Sequence, residues 1–121
     1  MKVISHGSLE EELKKVLSTP HTSNNLEKAV QIAEEIIKID KTSNYANYAM
    51  GLHELALANR TAPQVDYDRP VEAFKKIIKM DPNFIEPYLM LAKIYRETDR
   101  NLEYKLLLKA NKQFPDHYLI M

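Results

Sequence analysis

The chain has 121 residues, 45% hydrophobic and 28% charged, and its 17 basic and 17 acidic side chains cancel. That is the make-up of one ordinary globular domain without the excess of Lys and Arg that grips a phosphate backbone, so nucleic acid is not expected as a partner. The absence of cysteine excludes a disulfide framework and a thiolate metal site. No run approaches the roughly 20 apolar residues of a membrane span, and MKVISHGSLEEE lacks the apolar core of a signal peptide, which makes a cytoplasmic setting the expectation.

With 2 Gly, 6 Pro and no strand-like alternation, the chain reads as all-α throughout. After a short tail, Ser8 and Glu11 have the spacing of a capping box, and Leu9, Leu13, Val16 and Leu17 form the stripe of a first helix. Glu10, Glu11 and Glu12 then read as an acidic first turn that complements the helix dipole. Pro20, within STPHTSNN, ends this helix in a polar loop. Asn24 or Asn25 is placed to cap the second helix, whose Leu26, Ala29, Val30, Ala33, Ile36, Ile37 and Ile39 make a broad apolar face.

A third helix is predicted from about Ser43 to Asn59. The polar run NRTAPQVDYD, with Pro63, follows it as an enlarged loop. The fourth helix starts near Asp68, with Pro70 in the first turn where a missing N–H is tolerated, and carries Val71, Phe74, Ile77 and Ile78. Asp81-Pro82-Asn83 breaks it, because Pro82 cannot continue a helix and restricts the residue before it. The fifth helix presents Leu91, Ile94 and Tyr95. After a turn at Thr98 to Asn101, a sixth is expected to turn Leu102, Leu106, Leu107 and Ala110 inward.

An internal repeat emerges at the helix ends. Ile36-Ile37-Lys38-Ile39-Asp40 returns as Ile77-Ile78-Lys79-Met80-Asp81, 41 residues on, and Pro82 returns as Pro115 after 33. Tyr88, Leu91, Ala92 and Tyr95 follow the spacing aromatic-x2-Leu-small-x2-Tyr, and Phe74 stands eight residues before Pro82. Together these resemble the tetratricopeptide repeat, a helix–turn–helix unit of about 34 residues. The longer first interval is absorbed by the loop at 59–68.

Met50-Gly51 occupies the Leu-Gly place of that pattern, where a residue without a side chain lets the paired helix approach closely. Asn47 and Glu54 stand where its aromatic and Tyr belong, Pro70 replaces the first Ala, and Glu103 sits where a small residue is expected. Tyr45 and Tyr48 are positioned to take over part of the packing. The resemblance implies a right-handed α-solenoid of three antiparallel hairpins, about 8–39, 43–80 and 84–114, forming a single domain over 1–121 with a tail at 115–121.

It also implies a mode of action. In such proteins the first helices of successive hairpins line a concave groove for a peptide or helical segment of a partner, in an adaptor or scaffold role. Carried over position by position, the groove comprises Tyr45, Tyr48, Ala49 and Leu52 from the third helix and Glu86, Leu89, Met90 and Lys93 from the fifth. Core packing is the competing reading for Tyr48, Leu52 and Leu89, since apolar residues at helical spacing are usually buried. The carboxylate clamp of some family members is missing, because Tyr48, Leu52, Glu86, Leu89 and Met90 stand at its places.

The apolar residues Tyr118, Leu119, Ile120 and Met121 raise the alternative of self-association into a homo-oligomer. A tail folded back over the last hairpin, or a longer array, is the favoured explanation of the two. The basic group Arg69, Lys75, Lys76 and Lys79 reads as a solvated helix face. His6, His21, His53 and His117 include no pair at the three- or four-residue spacing of a helical metal site, and there is no phosphate loop or nucleophile elbow. Neither an enzyme nor a cofactor nor a metal is expected.

Overall fold

A computed structural model describes residues 6–19 and 22–116. Among these residues all regular structure is helical: α1 (His6–Leu17), α2 (Ser23–Ile39), α3 (Asn44–Asn59), α4 (Asp68–Met80), α5 (Glu86–Thr98) and α6 (Arg100–Gln113). Each helix packs on the next in chain order, and α1 also reaches α3. The result is an all-α stack of helical hairpins, the architecture of a helical-repeat solenoid.

The repeated Ile-Ile-Lys-x-Asp segments end α2 and α4 by one device. Asp40 N–H donates to Ile36 O at 2.7 Å and Asp81 N–H to Ile77 O at 2.8 Å, so each helix closes on its last full turn. Three residues later the chain bonds back again, Ser43 N–H to Asp40 O and Phe84 N–H to Asp81 O. The side chains of both aspartates then hold the turn, Asp40 accepting from Thr42 N–H at 2.9 Å and Asp81 from Asn83 N–H at 3.2 Å. A free carbonyl or N–H in such a turn would need water, and here the short polar residues supply its partners.

Helix α3 is the partition of the molecule. Its Ala46 and Ala49 join Leu13, Ala29, Ile32, Ala33 and Ile36 in a core shared with α1 and α2. Its Tyr48 and Leu52 belong to a second core with Phe74, Ile77, Tyr88, Leu91 and Tyr95 from α4 and α5. Small residues on one side let α1 and α2 approach, and large ones fill the other. Gly51 faces α4, and a Cβ built there would lie 2.7 Å from Phe74 Cε1, so the close approach expected of this position is present.

Three helix starts differ from the sequence reading. Helix α1 begins at His6, two residues ahead of Ser8, which therefore lies inside the helix and not at its cap. With that start no acid falls in the first turn, and Glu10 instead accepts a hydrogen bond from Ser43 Oγ at 2.7 Å. Helix α2 is capped by Thr22, whose hydroxyl accepts from Asn25 N–H at 3.2 Å, and Asn24 and Asn25 are already helical. Between α5 and α6 the turn contracts to Asp99 alone, which accepts from Asn101 N–H and Leu102 N–H.

Two apolar residues expected inside are outside. Ile39 is 61% exposed, because the stripe through Ile32 and Ile36 continues at i+4 to Asp40. Leu102 is 40% exposed while Glu103 is buried, since the inward stripe of α6 runs 103, 106, 107, 110. The carboxylate is matched there by Arg96 Nε at 2.8 Å and, more distantly, by Arg100 at 3.9 Å. A charge so enclosed is tolerated only with such a partner.

Ser43 ties α1 to the start of α3. It is buried, its hydroxyl caps α3 by accepting from Ala46 N–H, and it donates to Glu10 on α1. Ser43→Ala removes the cap and the hydrogen bond to Glu10, so a loss of about 1–2 kcal/mol is expected in urea unfolding. Ser43→Asp, which keeps a capping oxygen but sets it against Glu10, is expected to restore little.

Candidate functional site

The leading helices of the three hairpins, α1, α3 and α5, meet around one cleft of about 270 Å³ lined by Lys14, Leu17, Ser18, Tyr45, Tyr48 and Glu86. Its wall is aromatic. Tyr45 packs on Phe84 with ring centroids 4.8 Å apart, Tyr48 packs edge-on to the same ring at 5.7 Å, and Lys14 Nζ lies 4.9 Å from the centre of the Tyr45 ring. A cation over a ring face is attracted by its quadrupole, so Lys14 is held beside the opening. Glu86 stands in the first turn of α5, where its charge complements the helix dipole.

Burial divides the eight residues assigned to a groove. Ala49 and Leu52 are in the core, and Tyr48 is 5% exposed, with only its edge on the cleft. These three are packing residues, because α3 has helices against both of its sides and no broad face left for solvent. Tyr45, Glu86 and Met90 are half-buried, and Leu89 and Lys93 are exposed. Glu86, Leu89, Met90 and Lys93 follow i, i+3, i+4, i+7 and so share one face of α5, running away from the cleft.

Sequence reasoning missed Lys14, Leu17 and Ser18 on the α1 side, and it missed Phe84, whose ring supports both tyrosines. Phe84 follows the helix break by two residues, outside any position of the repeat pattern, and no sequence signal marked it; Phe114, at the end of the next hairpin, meets Tyr88 edge-on at 5.3 Å. No motif fixes the register of α1, which left its contribution to the cleft invisible. The residues Tyr118, Leu119, Ile120 and Met121 lie outside the described part of the chain.

Burial raises the Tyr48 hydroxyl well above its ordinary pKa, and the nearby Glu86 charge adds to the effect. The folded state therefore holds this proton more tightly than the unfolded one. The associated stability is complete below the unfolded tyrosine value of about 10 and is lost as pH rises beyond it. Denaturant melts are expected to show stability falling above about pH 10, with a shallower fall in Tyr48→Phe. The Tyr88 hydroxyl shifts the same way, by burial and then by Asp81, and donates to Pro82 O at 3.2 Å.

Elsewhere, a shallow groove between α3 and α4 mixes charges, Arg69, Lys75, Lys76 and Lys79 alternating with Glu54, Asp68 and Glu72. His53 is half-buried between α2 and α3. Among the described residues no three His, Asp or Glu side chains gather as a metal site would require, and no helix is long and apolar enough to cross a membrane. No family model matches the sequence, and no curated protein is similar to it.

Proposed function

We propose that this chain is a protein-interaction module of the helical-repeat kind, resembling the tetratricopeptide repeat, with an adaptor or scaffold role. A peptide or short helix of a partner docks on the face formed by α1, α3 and α5, starting at the cleft beside Tyr45 and continuing along Leu89, Met90 and Lys93. The observation that supports this reading most is the convergence of all three leading helices on one aromatic-walled opening. Such a face offers half-buried apolar anchors with a charge of each sign at its edge, a combination suited to an amphipathic segment. No catalytic residue, cofactor or metal enters the proposal.

The test is peptide selection on the immobilised chain, followed by affinity measurements on variants. Leu89→Glu and Glu86→Lys are expected to weaken selected peptides about tenfold or more, which is about 1.4 kcal/mol, with unchanged helical circular dichroism. Peptides that bind both variants as tightly as the wild type would place the docking site elsewhere. Leu52→Glu is no substitute, since it puts a carboxylate into the core.

A second reading is a structural element that self-associates through its last hairpin. It is favoured by Tyr104 and Leu108, 59% and 43% exposed at i, i+4 on α6. Sedimentation velocity at several concentrations separates the two. A concentration-dependent dimer abolished by Leu108→Glu supports assembly, and a monomer throughout dismisses it.

A further inference from the structure

We propose that the groove between α4 and α6 is a docking site for an acidic amphipathic helix of a partner protein, a second surface that does not rest on the α1–α3–α5 reading. Helix α5 forms the bottom of this groove, about 520 Å³ in volume, between the flanking walls of α4 and α6. Ile78, Leu91 and Tyr95 lie in it almost fully buried, with Leu106 half-buried beside them. Lys75 and Lys79 overhang it from α4 and Lys109 from α6, all exposed. No carboxylate lines it.

That one-signed rim sets this groove apart from the α3–α4 groove, the α2–α3 hollow and the α1–α3–α5 cleft, each of which holds a carboxylate. Lys75 and Lys79 also border the groove on the other side of α4, where Arg69 and Lys76 interleave with Glu54, Asp68 and Glu72 and Arg69 approaches Glu54 at 3.9 Å. Lys75, Lys79 and Lys109, like most lysines among the described residues, make no ion pair and are open to an incoming carboxylate. The net charge of the chain is zero, so three lysines and no carboxylate around one apolar floor are a local feature and not a consequence of overall charge.

The shape selects the conformation of the occupant. The backbone groups of α4, α5 and α6 are used within their own helices, so the groove offers apolar side chains and ammonium tips but no row of main-chain partners. An extended peptide laid there would lose water from its own N–H and C=O groups without replacement, whereas a helix satisfies them internally. The fitting segment has apolar residues at i, i+3, i+4 and i+7, with Asp or Glu on both flanks. A polynucleotide would meet the lysines but leave the floor uncovered.

The experiment uses a fluorescein-labelled helical peptide about four turns long, with that apolar stripe and Glu flanks, and a second with the same stripe and Lys flanks. Anisotropy is read on the full chain. The acidic peptide is expected to bind at least about tenfold more tightly than the basic one, with an advantage that shrinks as salt rises.

In the triple variant K75E/K79E/K109E the preference is expected to invert, and Leu106→Ala is expected to weaken the acidic peptide about fivefold. Leu89→Glu is expected to leave it unchanged, which separates failure here from failure of the α1–α3–α5 site. Equal binding of the two peptides, or an affinity insensitive to the triple variant, overturns the proposal. So does tighter binding of a single-stranded oligonucleotide at the same lysines, or a self-association that the triple variant abolishes, which would assign the groove to a second copy.

Discussion

Phe74→Ala is expected to lower the unfolding free energy by about 3–5 kcal/mol, the range for emptying a buried phenylalanine site. Phe74 is fully buried, its ring meets Tyr48 at a centroid distance of 6.0 Å, and it presses on the backbone of Gly51. The site cannot collapse easily, because α3 is held from behind by the first core. A domain of this size has only about 5–15 kcal/mol in all, so the loss is a large fraction. Thermal melting followed by circular dichroism is expected to shift down by about 10–25 °C. A change under about 1 kcal/mol would contradict the central placement of this ring.

Gly51→Ala has two opposed effects. Alanine in a helix interior is favoured over glycine by about 0.5–1 kcal/mol, which on an open helix face would stabilise. Here the added Cβ would sit 2.7 Å from Cε1 and 3.1 Å from Cδ1 of Phe74. A fully buried ring has nowhere to retreat, and overpacking of this kind costs about 1–3 kcal/mol.

The clash wins, and a net loss of about 1–2 kcal/mol is expected in urea unfolding. Phe74→Leu provides the check. In its background the alanine meets a smaller neighbour, so a coupling of about 1 kcal/mol or more is expected between the two changes. Strict additivity would mean that Phe74 is not what excludes a side chain at Gly51.

The boundaries most legible in the sequence were those set by backbone chemistry. Asp40 and Asp81 end their helices where the repeated pentapeptide placed them, Ser43 precedes α3, and α4 begins at Asp68 with Pro70 in its first turn. Each of these follows from local rules that need no knowledge of neighbours. The starts of α1 and α2 were harder, because several residues of similar capping strength compete in the same stretch, and Thr22 prevails over the asparagines that follow it.

The division of the groove positions between packing and open surface was not legible, for a different reason. Helical periodicity finds a stripe but does not say whether one neighbour or two will cover it. Helix α3 is flanked on both sides, so Tyr48, Ala49 and Leu52 are consumed by packing, and the partly open positions fall to Tyr45 and to the exposed face of α5. Glu103 shows the same limit. It is a charged residue at a small-residue position, yet Arg96 across the Asp99 turn lets α6 close around it.

The double duty of α3 has a mechanical outcome. In a stack whose units meet only through separable seams, an end hairpin can fray while its neighbours persist. Here one rod is the wall of two rooms. Melting α1 and α2 would bare Ala46 and Ala49 and free Ser43, loosening the very rod against which Phe74 leans, so disturbance at one end is felt at the other. Any ligand that braces α3 from the Tyr45 side therefore also stiffens the seat of Phe74.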